Sequence, residues 1–263
     1  MADTTYRPKR LVAVLSHPEE IANVYPWSLS LARQWGLPLT LLHVIDPVSS
    51  RELSENAEVM ARDMLALLAH APAAEGVEVD TAVETGGPQT AIPAFAGQHP
   101  GSVFVMTGGD HGTFARTLLR RGSENVIHHL DAPLVFLPPK AGPARPIERA
   151  IAGIDGSEIA AHALEVAREV LGATPIVQVQ VLEPGMLPAE EYLSTTPTLA
   201  GDVIRMRGRA GIALLAAARA RDAQLIAVGR RGHTGLFGQH LGGTAEWLSR
   251  NADRPVLIVP PRG

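Results

Sequence analysis

Short apolar runs alternate with longer amphipathic stretches along this chain, and the whole series then begins again. A run of four to seven apolar residues bounded by turn formers reads as a strand buried on both faces. Strands separated by helices require right-handed crossovers and hence a parallel sheet. In the first series the strands are expected at 11–15, 39–45, 77–83, 102–106 and 134–137. Helices are expected at 19–35, 52–71, 89–96 and 123–130. Gly36 and Pro38 close the first helix. The second presents Leu53, Ala57, Met60, Met64, Leu67 and Leu68 on one side. The 77–83 strand alternates apolar and polar residues, as a half-buried or edge strand does, and Pro93 starts or breaks the 89–96 helix.

Pro138, Pro139, Gly142, Pro143 and Pro146 then form a stiff polar break, read as a linker. This divides the chain into 1–138, a linker over 139–148, and 149–263. The second series has strands at 150–154, 176–182, 225–228 and 256–259, with helices at 158–171, 211–221 and 244–250. The repeat has a measurable offset: Leu15 and Asp155 lie 140 apart, Val44 and Val181 137, Gly109 and Gly229 120, and Pro133 and Pro255 122. The offset shrinks between the second and fourth strands. The second copy has therefore lost most of its second helix, and 183–201, rich in Pro and Thr, is expected to be irregular or a short helix.

Bulk composition narrows the function. The 263 residues are 46% hydrophobic and 19% charged, so a packed core is expected. The net charge of -4 is the wrong sign for a generic nucleic-acid or membrane-surface binder. Cysteine is absent, which excludes disulfides and thiol chemistry. No signal segment or membrane span is evident, so a cytoplasmic protein is expected. His17, His43, His99, His162 and His240 show no zinc-type spacing, and no metal site is expected.

The chemistry lies in two glycine loops. After its fourth strand the first copy reads Gly109-x-x-Gly112, nine residues, then Gly122-Ser123 and a helix. The second reads Gly229-x-x-Gly232, nine residues, then Gly242-Gly243-Thr244 and a helix. Glycine lets the backbone approach a phosphate, and the following helix points unpaired N–H groups at the anion. Two glycines three apart are commonplace. A third at fixed spacing, followed by a helix and a closing strand and repeated at a constant offset, is not.

With these loops, Leu41–Asp46 (Leu-Leu-His-Val-Ile-Asp) and Ile154–Glu158 (Ile-Asp-Gly-Ser-Glu), the chain resembles the tandem form of the universal stress protein family. The resemblance implies two doubly wound five-stranded parallel α/β domains of strand order 3-2-1-4-5, with a shortened second helix in the second. It also implies ATP or a related adenine nucleotide, with Mg in company, at the switch between strands one and four. An Asp at the end of strand one meets the adenosine in nucleotide-binding members. Asp155 holds that place in the second copy and Leu15 in the first. The second copy is the favoured site, through Asp155, Val181, Val228, Gly229, Arg231, Gly232, Gly242, Gly243, Thr244 and Ala245. Val44, Gly109, Gly112, Gly122 and Ser123 form the weaker first site. Arg230, Arg231 and His233 offer charge to phosphate.

Plainer roles compete with these. Asp155-Gly156-Ser157 equally suits a turn and an N-cap, the valines suit the core, and the arginines suit a solvated surface. No general base or carboxylate pair stands beside the loops, so turnover is expected to be slow or absent. A regulatory nucleotide-binding protein in stress response is the first expectation. A scaffold with relic loops is the second, and a slow ATPase the third. The fifth strands of the family pair across dimers; here 134–137 and 256–259 could pair within one chain, and two chains could dimerise further.

Overall fold

The computed structural model describes residues 6–15, 18–47, 56–107, 126–182, 198–200, 203–231 and 241–262. In the first copy the strands are β1 (Arg10–Val14), β2 (Leu39–Ile45), β3 (Val79–Thr85), β4 (Ser102–Thr107) and β5 (Leu134–Leu137). Its helices are α1 (Pro18–Trp35), α2 (Ala57–Ala69), α3 (Pro88–Gln98) and α4 (Val126–His129). The second copy contributes β6 (Ala150–Ile154), α5 (Glu158–Leu171), β7 (Ile176–Leu182), β8 (Thr198–Ala200), β9 (Val203–Arg207), α6 (Ala210–Ala220), β10 (Leu225–Gly229), α7 (Gly243–Asn251) and β11 (Val256–Val259).

All eleven strands form one sheet, ordered β3-β2-β1-β4-β5-β11-β10-β6-β7-β9-β8. Each half is the 3-2-1-4-5 order, run in opposite senses from the middle. The halves meet where β5 and β11 pair antiparallel, Phe136 opposite Val256 and Val135 opposite Leu257. Pairing is parallel elsewhere except between β8 and β9. The central strands β4, β5 and β11 are buried at every residue, whereas β3 at one edge is partly exposed along its length. This is why β3 alternates in sequence and the others read as unbroken apolar runs.

The two faces of the sheet carry separate apolar layers, each drawing residues from both copies. One packs β1 and β2 through Val12, Val14, Leu42 and Val44, and continues through Val179, Val181, Val228 and Leu248. The other holds Leu11, Ala13, Leu15, Leu31 and Leu41, and continues through Ala150, Val166 and Leu257. Alternate residues of a strand point to opposite faces, which assigns neighbours such as Leu11 and Val12 to different layers.

Local signals account for several boundaries. Gly36, at φ +63°, follows the last residue of α1, and the Leu37 N–H bonds the Ala32 carbonyl (3.1 Å). That is a left-handed helix stop, which glycine adopts without a Cβ clash. Pro88 starts α3 at its first turn, and Pro93 is carried inside the helix.

Some expectations need correction. The inner side of α2 is Ala61 and Leu65, with Met64 and Leu68 partly packed, whereas Met60 is 67% and Leu67 76% exposed. The apolar residues at 60 and 67 suggested a stripe turned away from the real one. Thr198–Ala200, expected to be irregular, is a strand pairing antiparallel with β9. Val203–Arg207, unassigned from sequence, is the second copy's third strand and pairs with β7. Its pattern, Val-Ile-Arg-Met-Arg, hides a strand because the charges sit on a half-exposed outer position. The segment 183–197, where the lost helix was placed, lies outside the described residues.

The proline-rich stretch after β5 has no regular secondary structure, yet it is fastened to both copies. The Trp27 Nε1–H donates to the Gly142 carbonyl (3.0 Å). Gln34 brackets Ile147, donating to its carbonyl (2.7 Å) and accepting from its N–H (2.8 Å). From the other copy, Gln224 Oε1 accepts from the N–H groups of Glu148 and Arg149, both at 2.9 Å. Ile147 itself is fully buried.

Candidate functional site

In the second copy the strand order reverses between β6 and β10, so a crevice is expected over their carboxyl ends. The described residues over those ends are the turn 155–157 after β6, Gly229–Arg231 at the end of β10, and 241–243 at the start of α7. Gly229 ends β10 against the first turn of α5. A Cβ at this position would lie 2.8 Å from Ile159 Cγ2 and 3.0 Å from the Arg231 carbonyl oxygen. Backbone cannot easily yield to that contact, so glycine is required by packing rather than by an unusual φ. Gly229→Ala is expected to lower stability by about 1–3 kcal/mol, read as a shift in the urea midpoint; an unchanged midpoint would refute the packing argument.

The Asp155 turn is internally bonded. Asp155 Oδ1 accepts from the Ser157 N–H (2.9 Å) and the Ser157 hydroxyl (2.6 Å). Ser157 Oγ in turn accepts from the Ala160 N–H (3.1 Å), capping α5. Gly156 allows the turn at φ +82°. The N-cap role foreseen for these residues is therefore present, and Asp155 is half-buried while it plays it.

The start of α7 differs. Its N-cap is Gly242, which brings no side chain to close the first turn. The Gly242 N–H donates to the Arg230 carbonyl (2.8 Å), and the Gly242 carbonyl accepts from the Glu246 N–H (2.9 Å). Gly243 is exposed with open space beside its Cα, Thr244 is half-buried, and Ala245 is buried. The early N–H groups of a helix have no intrahelical acceptor, so this end presents donors toward an anion. Val181 and Val228 are buried in the layer that also contains Ala245, so both serve the core. The Nε of Arg231 is buried without a hydrogen-bond partner among the described residues.

Arg230 departs from expectation. It is 6% exposed, and its side chain leaves the second copy altogether. Nη1 donates to the carbonyls of Ile127 (3.1 Å) and Leu130 (2.8 Å), and Nη2 lies 3.4 Å from Asp131 Oδ1. Burial pulls the guanidinium below its usual pKa, opposed by the Asp131 charge. Its charge is thus committed to the first copy and not to a phosphate in its own loop. Sequence reasoning had no signal for this, because the partners lie about a hundred residues away.

For the first copy, Val44 is buried in the core, and Gly109, Gly112, Gly122 and Ser123 lie outside the described residues, as do Gly232 and His233. Sheet register corrects the equivalence assumed from the repeat. Leu11 pairs with Leu39 and Val103, while Ala150 pairs with Ile176 and Leu225. Leu11 therefore matches Ala150, Leu15 matches Ile154, and the Asp155 position falls to Ser16 in the first copy. Thr107, not Gly109, matches Gly229 by the same reasoning from the β4–β5 and β10–β11 pairs. Leu15 is fully buried in the core, and its carbonyl accepts from His43 Nδ1 (2.6 Å).

Residues 8–138 and 191–260 match the model of the Universal stress protein family. The chain belongs to the universal stress protein family. The matched segments take in the first copy and the β8–β11 part of the second, while β6, α5 and β7, with Asp155, fall between them. A curated universal stress protein from Mycolicibacterium smegmatis is 26% identical over 296 residues, spanning 96% of this chain and 97% of its own. The crystal structure of a universal stress protein from Archaeoglobus fulgidus superimposes with a TM-score of 0.70 at 18% identity, covering 97% of each chain. A Pseudomonas aeruginosa protein described as functionally unknown gives 0.62 at 17% identity, with 96% of this chain and 93% of that one covered. These structures share the tandem fold end to end. Family membership supports a role in stress response.

Proposed function

We propose that this universal stress protein is a cytoplasmic regulatory protein that binds ATP or a related adenine nucleotide in its second copy, with little or no turnover. The observation that carries the reading is the α7 terminus. A glycine N-cap leaves the N–H groups of Gly243, Thr244 and Ala245 without a capping side chain, beside the carboxyl end of β10. The contrast with α5, which Ser157 caps, supports an anion at α7 in preference to α5. The Nε of Arg231, buried without a hydrogen-bond partner among the described residues, adds a donor with its desolvation already incurred. Asp155 would accept from ribose or adenine donors, and Mg would ride on the phosphates. Among the described residues no group of three or more His, Asp or Glu side chains is placed to hold a metal. No helix among them is long and apolar enough to cross a membrane. Any homodimer would need a surface other than the fifth strands, which are spent on each other.

Equilibrium titration with a fluorescent ATP analogue tests the reading. One site saturating below about 1 mM is expected, a range corresponding to roughly 4 kcal/mol or more of binding free energy. Phosphate release with magnesium is expected to stay at background. No binding at millimolar ligand would reject it.

A second reading, a scaffold acting through protein partners, is favoured by a specific observation. Asp155 Oδ1 is already engaged by Ser157, and Arg230 is committed elsewhere. Slow ATP hydrolysis is a third, and metal-dependent phosphate release above background would support it.

A further inference from the structure

Arg230 joins two places that the sequence keeps far apart. On its backbone side the N–H donates to the Val259 carbonyl (2.6 Å), and the carbonyl accepts from Gly242, the N-cap of α7. On its side-chain side the guanidinium holds the Ile127 and Leu130 carbonyls, with Asp131 beside it. Those carbonyls end α4, where a helix runs out of N–H groups to bond its last C=O groups. The side chain is 7% exposed, so these charge-assisted bonds act in a poorly screened environment. Asp131, by contrast, is 88% exposed and contributes little to holding the cation.

Counted one residue beyond the β4–β5 and β10–β11 registers, the Arg230 position falls on Gly108 in the first copy, and glycine has no side chain for an equivalent reach. The element that Arg230 holds, α4, follows the first copy's own Gly122-Ser123 in sequence.

We propose that Arg230 couples occupancy of the second copy's loop to the order of α4 in the first copy. The inference rests on the nucleotide reading above. An anion at the start of α7 restrains Gly242, whose N–H is bonded to the Arg230 carbonyl. Restraining that backbone narrows the positions open to the guanidinium and so tightens its two bonds to α4. The coupling is one of ordering, and needs no large displacement.

Hydrogen exchange on the full chain tests it, with ATP binding measured on the same samples. The probe is the Leu130 amide, bonded to the Val126 carbonyl (3.0 Å). Saturating ATP is expected to slow its exchange about fivefold or more, the low end of common coupling strengths. Arg230→Met should abolish that slowing while ATP still binds. Undiminished slowing in Arg230→Met, or none in a wild type that binds ATP, overturns the coupling alone. A wild type that binds no ATP rejects the nucleotide reading, and the coupling with it. Should Arg230→Met fail to fold, Arg230→Lys serves, since lysine cannot span both carbonyls and Asp131 as a fork does. Full slowing in Arg230→Lys would equally overturn the proposal.

Discussion

Phe136→Ala is expected to lower the unfolding free energy by about 3–5 kcal/mol, the range for removing a fully buried aromatic side chain. Phe136 has no exposed surface, lies opposite Met106 on one side and Val256 on the other, and belongs to an apolar layer fed by both copies. The cavity would open at the joint between the halves. A loss of that size is a large fraction of the stability of an ordinary domain. Urea denaturation can follow both halves at once. Trp27 and Trp35 report on the first copy and Trp247 on the second, so single-tryptophan variants separate them. Because the layers are continuous, both reporters are expected to shift together in Phe136→Ala. A shift confined to one reporter, or a loss under about 1 kcal/mol, would show that the joint is not shared core.

Asp155→Ala is expected to weaken ATP binding about tenfold or more, the loss of one or two charge-assisted hydrogen bonds. The same substitution also removes the acceptor for Ser157, so it should lower stability by about 1 kcal/mol. Ser157→Ala separates the two effects. It removes the cap on Ala160 with a similar loss of stability, and leaves the Asp155 carboxylate in place. Titration of both variants should show ATP affinity falling for Asp155→Ala and holding within about twofold for Ser157→Ala. Equal affinities in wild type and Asp155→Ala would assign Asp155 to the turn alone, as the scaffold reading requires.

The sequence made most of the sheet legible because its strands are buried on both faces. The bounds of β2, β5, β6 and β11 follow directly from apolar runs and turn residues, and those of β7 from its alternation of apolar residues with glutamine. What escaped was at the periphery. β9, next to the edge strand β8, carries Arg205 and Arg207 at exposed or half-exposed positions, where solvation permits charge and erases the apolar run. The α2 stripe was misplaced because Met60 and Leu67 are apolar yet exposed, and periodicity cannot tell an exposed apolar residue from a packed one.

The glycine loops were legible as a motif, but not their context. A repeat offset counts residues and not hydrogen bonds. It equated Leu15 with Asp155, while the strand registers make Leu15 equivalent to Ile154. A one-residue slip in a strand reverses the face to which every side chain points, so the distinction matters for any site built on strand ends. The reach of Arg230 into the other copy was invisible for a different reason. Short-range patterns carry no information on which surface a lone arginine meets after the chain has folded.

The β5–β11 pairing bears on how the protein is made. β11 is the last of the eleven strands in chain order, yet it sits near the middle of the sheet. Until it emerges from the ribosome, β5 and β10 each present a bare edge of buried-type apolar residues, Leu-Val-Phe-Leu and Leu-Ile-Ala-Val-Gly. Bare edges of this kind invite pairing with the wrong strand or with another nascent chain. The nascent protein thus carries two adhesive edges at the centre of the future sheet, and a delay between synthesis of β10 and β11, which leaves both bare, should be more damaging than one at the segment between the copies.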